Sequence, residues 1–84
     1  MPRISEFSGI VVYMYFEDHP PPHCHVLYAG DWAKLSLTGK VVRGWLPRRV
    51  LTRVRPWILE HRAELLANWD RIEEGQEPKE VSPP

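Results

Sequence analysis

The sequence predicts an α+β domain: a four-stranded antiparallel sheet with one face covered by a C-terminal helical pair or a kinked helix. Three observations carry this. Up to Trp45, short runs rich in β-branched and aromatic residues are separated by glycine or proline turns, the mark of strands. From Val50 to Ile72 the apolar residues recur at helical spacing instead. One amphipathic stripe can cover only one face of a sheet.

Met1 to Ser8 reads as a lead-in, and Gly9 opens strand one, Ile10 to Phe16. Three consecutive prolines, Pro20 to Pro22, make a stiff connection, because proline offers no backbone donor and holds its neighbours extended. Strand two follows from His23 to Ala29, a turn at Gly30-Asp31, strand three from Trp32 to Leu37, and strand four from Val41 to Trp45. Pro47 suits the first helical position, where a missing N–H is harmless. The helical pattern that follows is too long for so small a sheet and must break. Pro56 is one candidate; His61 is the other, as a cap with Glu64 in the capping-box position. Gly75 ends the helix. Residues 1–75 then form the domain, and 76–84, with three prolines, form a flexible tail.

At 84 residues the chain can build one core, and a hydrophobic content of 43% is enough to fill it. The lone Cys24 has no internal disulfide partner, and no basic region followed by an apolar stretch marks an export signal, so a cytoplasmic location is expected. The longest apolar run, Ile10 to Phe16, falls short of the roughly 20 residues of a membrane span. Net charge is zero but unevenly placed. Lys40, Arg43, Arg48, Arg49, Arg53 and Arg55 follow one another with no acid between them, and acids predominate from Glu60. Arg48 and Arg49 oppose the positive end of the helix dipole, which points to binding of phosphate or a partner by Arg48, Arg49 and Arg53 rather than to stability.

Alternation along the strands sorts the sheet. The covered face takes Val12, Met14, Val26, Leu35 and Leu37, packed on Leu51, Val54, Ile58, Leu65 and Trp69. The other face is expected to be uncovered, with Tyr13, Tyr15, His23, His25, Trp32, Lys34 and Arg43 on it, a composition suited to an interaction surface.

The segment Asp18 to His25 gathers a carboxylate, a thiol and three imidazoles within eight residues. His23 and His25, two apart on a strand, share a face, with Asp18 and His19 within reach from the proline turn; these four form the candidate functional site. Cys24 points the opposite way, into the core. No structural zinc or other cofactor is expected, because a structural site takes four enclosing ligands and cysteine is the usual one. Met1 to Phe7, Gly9-Ile10, Met14-Tyr15, Asp18-His19, Pro21-Pro22-His23, His25-Val26, Gly44 to Pro47, Trp57, Glu64-Leu65 and Asn68-Trp69 together resemble a family of small bacterial proteins, domain-of-unknown-function family 4160, over about Met1 to Trp69. The pattern differs at Cys24, where an aromatic is usual, and at Pro56. The resemblance implies no catalytic residue; it implies membership of two-gene modules of toxin–antitoxin type.

Two functions follow as expectations. One is a protein-interaction module, a component of a toxin–antitoxin-like pair whose partner is a cognate small protein, with nucleic acid or a second copy of the chain as alternatives. The other is a small nuclease or metal-dependent enzyme using His19, His23 and His25, with Lys34, Arg43 and Arg48 holding phosphate. Against the enzyme stands the absence of a nucleophile beside a base and of a glycine-rich phosphate loop.

Overall fold

In the computed structural model, which describes residues 2–84, five strands precede two helices. The strands are β1 (Arg3–Phe7), β2 (Ile10–Tyr13), β3 (His23–Tyr28), β4 (Asp31–Ser36) and β5 (Val41–Gly44), followed by α1 (Arg48–Glu60) and α2 (Arg62–Glu73). All neighbours pair antiparallel in the order β1-β2-β3-β4-β5, a meander.

The α+β class stands as expected, but the sheet has five strands, not four. The missed strand lies in the supposed lead-in. A bulge between Arg3 and Ser5 turns both Ile4 and Ser5 inward, so the period-two alternation that marks a strand is broken there. The β1–β2 turn is Ser8-Gly9, with φ of 52° and 77°, and the β3–β4 turn is Ala29-Gly30, with φ of 48° and 87°. Positive φ at both central residues lets a two-residue turn follow the strand twist. Ser8 and Ala29 adopt it although neither is the residue usually chosen, which places the second turn one residue earlier than expected. Strand β2 ends at Tyr13, short of the expected Phe16; Glu17 beyond it takes φ 60°, and Tyr15 and Phe16 are exposed.

Of the residues assigned to the covered face, all are buried except Leu51, which is half-buried, and Ile4, Phe7, Ile10, Trp57, Ile72 and Val81 join them. The core therefore lies between the sheet and the two helices. Pro47 precedes α1 as its extended flanking residue rather than entering the first turn. Pro56 sits inside α1 without ending it, on the exposed side. The break falls at His61, as the second alternative had it, but no side-chain cap forms: the His61 ring lies 3.1 Å from the Trp57 carbonyl through Nδ1.

Residues 76–84, expected to be flexible, carry no helix or strand yet are attached at several points. Asn68, itself buried, brackets Lys79 with two 2.8 Å hydrogen bonds, donating from Nδ2 to its carbonyl and accepting its N–H on Oδ1. The Trp57 indole donates to the Ser82 carbonyl at 2.8 Å, and Val81 is 1% exposed, with its N–H bonded to the Ile4 carbonyl at 2.8 Å.

Candidate functional site

The cross-strand register aligns Tyr13, His25, Lys34 and Arg43 in one row over β2 to β5, on the face opposite the helix-packed Val12, Val26, Ala33 and Leu35. The face assignment from alternation is therefore the one the sheet adopts. This face is not uncovered, however. Tyr13, His23 and His25 are buried, Trp32 and Lys34 half-buried, and only Tyr15 and Arg43 exposed. The loop between β2 and β3 supplies part of the cover, placing Asp18 and Tyr15 against His25, and α2 supplies Trp69, whose ring centroid lies 5.0 Å from that of His23.

His25 sits in an aromatic enclosure. Tyr13 and Trp32 stack on it at centroid distances of 5.3 and 5.7 Å, and Tyr15 and His23 meet it edge-on at 4.7 and 5.1 Å. One atom joins the two histidines: Asp18 Oδ2 lies 2.7 Å from His23 Nε2 and 3.0 Å from His25 Nε2. Asp18 Oδ1 accepts the backbone N–H of His19 at 2.9 Å, and His23 Nδ1 donates to the Pro21 carbonyl at 2.9 Å. The second ring nitrogen of His25, Nδ1, is buried without a partner among the described residues.

Electrostatics follow from this wiring. Burial acts to raise the Asp18 carboxyl, but the hydrogen bonds from His25, the His19 amide and His23 outweigh it and hold the group below its ordinary value. His25 is displaced downward, first by burial and then by the charges of His23 and Lys34, which together outweigh Asp18. Burial, reinforced by Tyr15, raises Tyr13. The Cys24 thiol, fully buried on the core side, is pushed up to about 12, which leaves it inert near neutral pH.

Of the four candidate site residues, Asp18, His23 and His25 converge and His19 does not: its ring is exposed, and only its amide takes part. The arginines stay apart from this centre. Arg49 lies over the Tyr28 ring at 5.6 Å, Arg53 donates to the Ser8 hydroxyl at 3.0 Å, and Arg48 is exposed. Sequence reasoning missed Trp69 as the lid over His23. It also missed the exposure of Val42 and Trp45, at 55% and 63%. The bulge between Lys34 and Leu35 leaves Val42 unpaired opposite β4, a displacement that alternation alone could not reveal.

A five-stranded meander backed by two helices, with an internal carboxylate–imidazole centre, defines a small α+β domain. The family model described as "Domain of unknown function (DUF4160)" matches residues 9–70, and the chain belongs to that family. The match begins after β1, whereas the resemblance in sequence runs from about Met1. No curated protein and no solved structure matches the chain. Among the described residues no helix is long and apolar enough to cross a membrane.

Proposed function

We propose that this chain is a protein-interaction module that receives an acidic extended segment of a cognate small protein along β5, the two forming a toxin–antitoxin-like pair. The observation that carries the reading is the finish of that edge. β5 is the last strand of the sheet, its residues Val42 to Gly44 are exposed, and Trp45 directly after it is the most exposed large apolar side chain described. An edge strand presents unpaired backbone groups, to which a partner strand can add, and a tryptophan beside it offers the kind of anchor that dominates interface energies. Lys40, Arg43 and Arg48, all exposed around the strand, favour an acidic segment.

The enzyme reading is weaker for a stated reason. Of the three rings that would transfer protons, exposed His19 does not join the other two, His23 and His25 are buried, the nitrogens of His23 are engaged by Asp18 and Pro21, and Nε2 of His25 is engaged by Asp18. Co-expression with the product of an adjacent gene tests the interaction reading. The expected result is a stable complex that survives purification, is lost when Val42→Asp and Trp45→Ser are combined, and is lost without a change in the melting temperature of the free chain. A complex indifferent to both changes, or no complex at all, overturns it.

A further inference from the structure

We propose that Asp18, His23 and His25 form an exchangeable binding site for a divalent transition metal of the zinc type, held by the Asp18 carboxylate and the two Nε2 atoms. One ligand atom from each residue lies within 4.8 Å of the others, and no other group of three such residues converges among the described residues. Two imidazoles and a carboxylate are a donor set for zinc and its first-row neighbours; calcium and magnesium prefer oxygen throughout.

The wiring of His23 is the particular that points to a cation. A carbonyl only accepts, so the Pro21 carbonyl fixes a hydrogen on Nδ1, and the neutral ring then turns its Nε2 lone pair toward Asp18 Oδ2 at 2.7 Å. Two lone pairs cannot face each other at that distance without a positive charge between them. A proton fills the place in the metal-free chain, and a metal can take it over. A backbone carbonyl on the outer nitrogen is also the support that metal-bound histidines characteristically have. Tyr13 and Trp32, stacked on both sides of His25, hold the second ring in its plane.

The observed spacings of 2.7 and 3.0 Å are hydrogen-bond lengths, whereas bonds of about 2.0–2.1 Å to one metal set tetrahedral ligands roughly 3.3 Å apart. The site must therefore open by about half an ångström. Asp18 is the member able to move, being carried on a loop with its side chain 18% exposed while those of His23 and His25 are 2% and 7% exposed. That side also leaves the remaining coordination positions to water. With Nε2 on a metal, Nδ1 of His25 carries the hydrogen and has no acceptor, which limits affinity and makes the site exchangeable rather than structural.

The test is titration of the full chain with zinc chloride, followed by calorimetry and by the ring ¹⁵N resonances of the histidines, with magnesium chloride as control. Expected are saturation at one zinc per chain, shifts at His23 and His25 but not at His19 or His61, and no response to magnesium. Asp18→Asn should weaken zinc binding at least about tenfold, and His19→Ala should leave it unchanged. Absence of saturable binding, undiminished binding by Asp18→Asn, or shifts at His19 and His61 in place of the buried pair would overturn the proposal. The wild-type ring resonances decide the matter even if Asp18→Asn fails to fold.

Discussion

At the β1 edge, Val81 gives its N–H to the Ile4 carbonyl and buries its side chain in the core, whereas at the β5 edge Val42 and Trp45 stand 55% and 63% exposed, with no segment across them among the described residues. Both edges are short and both are bulged next to their neighbour, so strand geometry does not distinguish them. What differs is the supply of covering chain. The segment after α2 is clamped by Asn68 and Trp57 and delivered to β1, while among the described residues nothing comparable crosses β5. An unsealed edge leaves backbone groups free to pair with another chain; a sealed one does not.

Substitutions can break this contrast, and the largest effect is expected at Gly44. Its φ is 82°, and a Cβ there would lie 2.3 Å from the Trp32 carbonyl oxygen and 2.9 Å from the Ala33 Cα. Since both are backbone atoms, Gly44→Ala must push β5 from β4, at a cost on the order of 3 kcal/mol in urea denaturation. A cost under about 1 kcal/mol would mean that β5 already yields freely. Next comes the sealed edge: Val81→Asp places a charge where a buried valine packed and should cost about 2 kcal/mol or more, read from the same denaturation curves. An unaffected midpoint would show that the seal contributes nothing.

Smaller effects separate the open edge further. Arg48→Glu replaces a cation at the start of α1, whose first turn holds no acid, and should raise stability by about 0.3–1 kcal/mol at low salt, a gain that shrinks as salt is added. Trp45→Ser should change stability by less than about 0.5 kcal/mol, because the ring is largely in solvent already. A clear destabilisation by Trp45→Ser would make that side chain a structural element and remove the contrast between the edges.

How much of this was readable beforehand depends on the range of the interaction. The helices were legible because the positions of Val54, Ile58, Leu65 and Trp69 repeat at helical spacing, and each is buried. Strand β1 was not, since its bulge places Ile4 and Ser5 on the same side and hides the alternation. The attachment of 76–84 was hidden too: its composition reads as a tail, and the contacts holding it come from Trp57 and Asn68, far back in the chain. For the site, two-residue spacing put His23 and His25 on one face. The proline turn put Asp18 within reach, but that one of its oxygens meets both rings, and that Trp69 lies on His23, depend on a loop path and a helix position that spacing does not fix.

The bond between Ile4 and Val81 has a consequence for the order in which the molecule is assembled. Hairpins β1–β2 and β3–β4 close over two-residue turns, but the seal on β1 joins segments separated by nearly the whole described chain. Closing so long a loop is entropically slow until the intervening structure has shortened it, so this contact forms after the sheet and both helices are in place. During synthesis β1 emerges well before the segment that seals it. For that interval the domain carries two unsealed edges rather than one, and the nascent chain is then at its most prone to strand pairing with a neighbour.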